Sequence, residues 1–466
     1  MSEHNSATEM YWDIELIRKY DLTGPRYTSY PTAPQFESNY KQTDWQHAVE
    51  RIQDRSQRIS LYLHIPFCDT VCYYCGCSKI ITANHSHADT YLEYLKKEIQ
   101  LKAQHINKES LVEQIHFGGG TPTYLSDEQL GDIMQELRSA FSFADDNFEC
   151  SIEIHPQGMN KQRLHNLKKL GFNRLSLGIQ DFDPQVQKAV NRFNSKEEVS
   201  SLMKEARELA FNSVSVDLIY GLPLQSRESF QQTLNDIIEL DPDRLSLFNY
   251  AHMPHLFKTQ KQINANELPE PQEKLDILHN SISKLCANGY RYIGMDHFAK
   301  EDDELSIAQQ NGSMQRNFQG YATHNNGVLH AFGLSAISSL AEHYSQNVKK
   351  LEQYYQALDQ DTLPIERGYD LNQDDVIRRD VISSLLCNNY LNFSELKDKY
   401  NIEFSTYFED ACAPLTELAK DGLIEFNTKE LKILDRGRLL ARSVCKLFDN
   451  YIKKSSDTKP RYSRII

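Results

Sequence analysis

Between residue 58 and about residue 250 the chain alternates two hydrophobic rhythms. Short runs rich in β-branched and aromatic residues occur at 59–65, 114–117, 149–154, 174–178, 213–220 and 244–250, with the length and composition of buried strands. Between them apolar residues recur at helical spacing. Leu130, Ile133, Met134, Leu137 and Phe141 share one helical face behind Ser126 and Gln129, a capping-box pair. Val199, Leu202, Met203, Ala206 and Leu209 do the same behind Ser195 and Glu198, and Ser226 opens a helix carrying Phe230, Leu234, Ile237 and Ile238. Strands that each lead into a helix predict a parallel sheet. Six such units fall short of the eight that close a barrel. The expected fold is therefore α/β, a partial (β/α)6 TIM-like barrel.

The flanks read differently. Residues 1–57 form an N-terminal segment with aromatic and proline punctuation, GPRYTSYPTAPQF at 24–36. The barrel is expected over 58–300, with a barrel extension and connection over 301–369. From 370 to 466 the spacing in VIRRDVISSLL and LTELAKDGLIEF predicts a mainly helical C-terminal domain, closed by a small helix and hairpin.

Composition narrows the function classes. A chain of 466 residues, 40% hydrophobic and 25% charged, is an ordinary globular one. No run approaches 18 apolar residues, so no membrane-spanning helix is expected. The N-terminus lacks the basic-then-apolar pattern of an export signal, which points to a cytoplasmic protein. The net charge of −14 argues against nucleic acid or an anionic membrane surface as a partner. An anionic substrate would need a local basic patch, and Arg26, Lys79, Arg192 and Arg316 are candidate anchors.

The cysteines carry the strongest signal. Of nine, four fall within ten residues: Cys68, Cys72, Cys75 and Cys77. An odd total without an export signal argues against a disulfide framework. Three thiols this close in a loop after a strand suit a sulfur-ligated iron cluster. A closed four-cysteine zinc site that includes Cys77 is the alternative, although zinc ribbons draw on two separated pairs. Gly118-Gly119-Gly120-Thr121-Pro122 after the second strand lets backbone groups approach a ligand, or is a tight strand-to-helix turn. Glu153, Gln180, Asp181, Asp217 and 249–251 all fall at strand ends. Such residues converge on the carboxyl edge of a parallel sheet, where these folds bind and react.

These motifs resemble the radical S-adenosylmethionine (SAM) superfamily. More narrowly they are similar to its oxygen-independent coproporphyrinogen III oxidases, through PRYTSYPT at 25–32, the extra Cys77, NYAH at 249–252, GMDHF at 294–298 and RNFQGY at 316–321. The resemblance runs from about residue 10 to the C-terminus. It implies that Cys68, Cys72 and Cys75 hold a [4Fe–4S] cluster and that two SAM molecules bind. Tyr62, Gly119, Glu153 and Ile337 match contacts to the first SAM. Tyr74, Gly120, Thr121, Gln180, Arg192, Asp217 and Ala251 match contacts to the second. Cys77 would be needed for activity without ligating the cluster. The implied reaction uses a 5′-deoxyadenosyl radical to remove a hydrogen from the β-carbon of a propionate. Loss of CO2 and one electron then leaves a vinyl group, at two propionates of coproporphyrinogen III. A low-potential electron donor such as flavodoxin or ferredoxin and a monomeric state are also implied. The runner-up is a haem chaperone on the same scaffold, against which Cys77 and the Arg26–Tyr30 stretch discriminate. This chain departs from the family pattern at His155, Asn194, Ala331 and Tyr74.

Overall fold

The strand Arg58–Ile65 (β1) has Ile59, Leu61, Leu63 and Ile65 on one side of its pleat and Ser60 and His64 on the other, all buried. A strand covered on both faces belongs inside a parallel sheet. The computed structural model describes residues 11–21, 23–52, 58–145, 148–323 and 327–454. It divides into one unit of Phe36–Pro269 with Asn326–Asp370, and another of Met1–Gln35 with Glu270–Asn325 and Leu371–Ile466.

In the first unit β1 is followed by Leu111–Gly119 (β2), Glu149–Ile154 (β3), Arg174–Gln180 (β4), Ser213–Tyr220 (β5) and Arg244–Asn249 (β6). Each pairs in parallel with its predecessor, so the strand order follows the sequence order. The crossovers are the helices Ser86–Ala103, Asp127–Ala140, Lys161–Leu170, Lys196–Glu208 and Arg227–Leu240. The capping boxes of Ser126 with Gln129 and Ser195 with Glu198 both form, and Ser226 makes a third with Ser229. Phe141 and Leu209 lie one residue past their helices, as C-caps.

The sheet does not stop at six strands. Val328–Phe332 (β7) adds in parallel on the other side of β1. Ile337–Leu340 (β8), His343–Asn347 (β9) and Ile365–Asp370 (β10) then continue it antiparallel.

The second unit is built mainly on helices. Ile377, Val381, Ile382, Leu385 and Leu386 of helix Gln373–Asn388 pack with Phe404, Phe408, Leu415 and Phe448. A three-stranded sheet of Tyr390–Asn392, Glu430–Ile433 and Ile424–Phe426 lies in the same unit. Tyr27 and Tyr30, from the punctuated N-terminal stretch, join this core. Among the described residues no helix is long and apolar enough to cross a membrane.

Candidate functional site

The loop that follows β1 carries the clustered cysteines and is tied down from several directions. Gly120 N–H donates to Ile65 O at 2.8 Å and Thr121 N–H to Phe67 O at 2.8 Å, which staples the glycine turn after β2 to the end of β1. Asn191 Nδ2 donates to Val71 O at 2.7 Å, and Tyr73 N–H donates to Val190 O at 2.9 Å. Thr259 Oγ1 holds Cys75 O at 3.2 Å. The buried Gln260 amide donates to Tyr74 O at 2.9 Å and Ala251 O at 3.2 Å, and accepts from Met253 N–H at 2.6 Å. Nothing in the KTQKQ run around Gln260 marks it as a clasp for the cysteine loop. A buried glutamine has no periodic signature.

Each of the three loop sulfurs has a donor beside it. Thr121 Oγ1 donates to Cys68 Sγ at 3.4 Å, Arg192 Nη1 to Cys72 Sγ at 3.7 Å, and Cys77 N–H to Cys75 Sγ at 3.4 Å. Burial pushes the Cys68 thiol up to about 11. Hydrogen bonding from Cys77, helped by the Lys79 charge, brings Cys75 down to about 6, so this sulfur is a thiolate at neutral pH. The Cys77 thiol is driven well above its ordinary value, first by donating to Cys75 and then by burial. Among the described residues no three His, Cys, Asp or Glu side chains are grouped to hold a single metal ion.

The glycine turn is close-packed. A Cβ on Gly120 would stand 2.6 Å from Pro66 O and 2.8 Å from Phe67 O, both backbone atoms. Gly119 has φ 122°, and a Cβ there would meet the His64 ring at 2.8 Å. The turn therefore needs glycine for its approach to the cysteine loop, as well as for any ligand.

Polar side chains from the carboxyl-terminal halves of successive strands come together here, Asp217 from inside its strand rather than at its end as the sequence suggested. Glu153 Oε2 accepts from Gly119 N–H at 3.2 Å, and its Oε1 lies 3.3 Å from His116 Nε2. The His116 ring stacks on Tyr62 at 5.9 Å between centroids. The His64 Nε2–H donates to Ser78 O at 3.0 Å, so Nδ1 accepts the Tyr62 hydroxyl at 3.1 Å, and burial keeps this histidine neutral. Gln180 sits at φ 72°, at a register irregularity between β4 and β5. Such a conformation is unusual for a side-chain-bearing residue and is found preferentially at functional sites. Arg192 is buried, with one amino group on Gly178 O. Burial pushes the Asp217 carboxyl up to about 6, opposed by hydrogen bonds from Ser246 and Ser176. His155 is held at about 3 by burial and by the Arg192 charge, and its Nδ1 accepts Gln157 N–H at 3.1 Å. The imidazole at this site is thus neutral.

Together these groups enclose a cavity of about 580 Å3 at the carboxyl edge of the sheet. Cys68, Cys72, Tyr74, Cys75, Cys77, Gly119, Gly120, Thr121, Glu153, Gln180, Arg192 and Asp217 all line it, as do Asp69, Lys79 and His155. Tyr62 is not among the lining residues and stacks on His116. Ala251 follows β6 as an acceptor for Gln260, and Ile337 opens β8. Neither Ala251 nor Ile337 is part of the cavity lining. His85 stacks on Tyr124 at 4.1 Å and contacts Asp69 at 3.0 Å.

A parallel βα sheet with closely spaced thiols and a glycine-lined cavity at its carboxyl edge is the architecture of a radical SAM enzyme. Residues 62–237 match the Radical SAM superfamily, and residues 371–440 match the HemN C-terminal domain. Oxygen-independent coproporphyrinogen III oxidase of Pseudomonas aeruginosa is 47% identical over 456 residues, 98% of this chain and 99% of its own. The protein of the same name from Escherichia coli is 46% identical over 461 residues, 99% of this chain and 100% of its own. The solved structure of coproporphyrinogen III oxidase (HemN) from Escherichia coli, a radical SAM enzyme, matches with a TM-score of 0.91 at 45% identity. It covers 95% of this chain and 100% of that one. The chain belongs to the oxygen-independent coproporphyrinogen III oxidase family.

Membership implies a [4Fe–4S] cluster and SAM. The residues present fit both. The thiols come from one loop with a hydrogen-bond donor at each sulfur, Cys75 is already disposed to be a thiolate, and cavity space adjoins them.

Proposed function

We propose that this chain converts coproporphyrinogen III to protoporphyrinogen IX without oxygen, by oxidative decarboxylation of two propionate side chains to vinyl groups. The observation that carries this reading is the three-thiol loop opening onto the cavity, in a chain related over its full length to oxidases of that name.

Cys68, Cys72 and Cys75 are the proposed cluster ligands. When bound, the cluster and SAM supply the carbon-centred radical that takes hydrogen from the propionate β-carbon. The chain's part is to bind, orient and exclude water. Glu153, with one oxygen fixed by Gly119 N–H, offers its carboxylate to the cationic end of a first SAM, with Tyr62, Gly119 and Ile337 as further contacts. Tyr74, Gly120, Thr121, Gln180, Arg192, Asp217 and Ala251 are assigned to a second SAM. Arg192 suits the methionyl carboxylate there, and Asp217 suits a hydroxyl or ammonium donor. Cys77 is assigned to the reacting side of the cavity, because its thiol stays protonated against Cys75. A low-potential donor such as flavodoxin or ferredoxin would deliver the electron. We further assign the protein to the cytoplasm, as a monomer.

The test is anaerobic reconstitution with iron and sulfide, then dithionite, SAM and coproporphyrinogen III. Loss of two CO2 from the tetrapyrrole, with formation of 5′-deoxyadenosine and methionine, is expected. Intact substrate after SAM cleavage, or no cleavage at all, would refute the assignment.

A further inference from the structure

The oxidase substrate brings four carboxylates to a chain of net charge −14, so a local cationic site has to receive them. Lys79 and Arg192 line the cysteine cavity itself. A separate group of arginines lies in the other unit, around the hairpin Gln315–Asn317 and Gly320–Ala322.

Arg316 stands on the first strand of that hairpin with its guanidinium over the Tyr321 ring, 4.7 Å from the centroid. The Tyr321 ring is in turn met edge-on by His297 at 5.2 Å. This stacking fixes the plane of the cation. Nevertheless Arg316 Nε and Nη1 are buried and have no hydrogen-bond partner among the described residues, and the same is true of Gln319 Nε2 at the hairpin turn. Buried donors are normally paired, and a buried guanidinium most of all.

Among the described residues no hydrogen bond runs from these donors to the neighbouring Asp296. Asp296 is engaged by Arg26 at 2.6 Å. Arg442 points its donors at Pro25 O, at 3.0 Å, and at Gly24 O, and so braces the backbone that presents Arg26. Arg26, Arg316 and Arg442 against one Asp296 leave a local excess of positive charge, in electrostatic reach of one another. Arg26 is the partly exposed member, its side chain 37% accessible. A carboxylate arriving there would meet both an accessible cation and unsatisfied donors.

We propose that Arg26, Arg316 and Gln319 form a carboxylate-binding site that takes propionate side chains of the tetrapyrrole, with Arg442 and Tyr321 as positioning residues. The proposal rests on the oxidase reading above. Charge-assisted hydrogen bonds of this kind make the site selective for an ionised propionate over a vinyl group. It would therefore hold substrate more tightly than product.

The experiment uses reconstituted holoenzyme under anaerobic conditions, with wild type, Arg316→Gln, Arg316→Lys and Arg26→Gln. KM and kcat are measured for coproporphyrinogen III, and Kd for the stable tetracarboxylate coproporphyrin III is measured by fluorescence. For each Gln variant KM and Kd should rise about tenfold while kcat changes much less, with partial recovery in Arg316→Lys. If Arg316→Gln fails to fold, Arg26→Gln, at the accessible cation, carries the test. KM and Kd within twofold of wild type in the folded Gln variants would overturn the site while leaving the oxidase reading intact. If wild type does not decarboxylate the substrate, the oxidase reading fails, and the Kd series alone then decides whether the site binds carboxylates.

Discussion

The cysteine cavity and the cluster around Glu98 both take polar groups out of water, and both belong to the sheet unit. Around Glu98 every demand is met by the chain. Its Oε1 receives Lys102 Nζ at 2.7 Å and Asn347 Nδ2 at 2.8 Å, and its Oε2 receives Gly333 N–H at 2.8 Å and Tyr354 OH at 2.7 Å. Lys102 also donates to Ala331 O at 2.6 Å. Next to it, Tyr91 OH donates to His64 O at 2.7 Å and accepts Leu334 N–H at 3.0 Å. At the cavity, by contrast, three thiols held by a few weak donors, an accessible Glu153 and an Asp217 that resists ionisation surround open space. A closed network contributes order to the sheet between β1 and β7. An incomplete one is chemistry waiting for its ligands, and the contrast predicts opposite responses to mutation.

The largest effect should follow loss of a cavity thiol. Cys72→Ala, or Cys75→Ser, is expected to abolish 5′-deoxyadenosine formation and the charge-transfer absorption of the reconstituted cluster. The unfolding free energy of the metal-free protein should change by only about 0.5 kcal/mol, as for substitutions outside the packed core. A large stability loss in these variants would erase the distinction between the two regions.

Glu98→Ala should show the reverse. It leaves Lys102 buried without its counter-charge, which costs about 3–5 kcal/mol. The urea midpoint should fall accordingly while the folded fraction keeps its SAM cleavage. The pair Glu98→Leu with Lys102→Met should recover only the part of that loss that comes from the unpaired charge, because Gly333 N–H, Asn347 Nδ2 and Tyr354 OH still lose their buried acceptor.

Gly120→Ala tests the seam where cavity and scaffold meet. Its Cβ would press on Pro66 O and Phe67 O, and backbone cannot step aside as a side chain can. Overpacking of this kind costs about 1–3 kcal/mol. The displaced cysteine loop should also retain less iron per chain after reconstitution, read by iron and sulfide assay.

How much of this was legible in the sequence follows the same divide. Short-range signals spoke clearly: the thiol spacing, the Ser126–Gln129 and Ser195–Glu198 caps, and the glycine turn each depend on residues a few positions apart. The six βα strands were readable because burial on both faces makes an apolar run. Long-range satisfaction was silent. Glu98 and Lys102 at i and i+4 on a helix look like an exposed ion pair, yet both are buried, since their partners lie some 230–260 residues further along. Strand β9, His-Tyr-Ser-Gln-Asn, is buried throughout although most of its residues are polar. No hydropathy pattern marks it, and β8 to β10 were correspondingly not read as strands. Arg316 could be nominated from sequence only as any surface arginine could, and Gln319 was not nominated as an anchor at all.

The narrowest expected effect, confined to one pH window, concerns Asp217, which lies on the cavity side of the divide. Desolvation raises its folded-state pKa to about 6 from an ordinary 3.8, against the opposing hydrogen bonds of Ser246 and Ser176. The folded protein therefore binds this proton more tightly than the unfolded chain does. Its contribution to stability is full below pH 4, declines as pH rises between about 4 and 6, and is constant above that. Asp217→Asn removes the titration while keeping an acceptor for a serine hydroxyl. The stability gap between variant and wild type should then widen in the variant's favour across that window, by at most about 3 kcal/mol, and stay level from pH 7 to 8. Parallel denaturation profiles for the two proteins from pH 4 to 7 would mean that Asp217 ionises as freely as a surface carboxylate. The cavity would then be as well satisfied by the chain as the Glu98 cluster is.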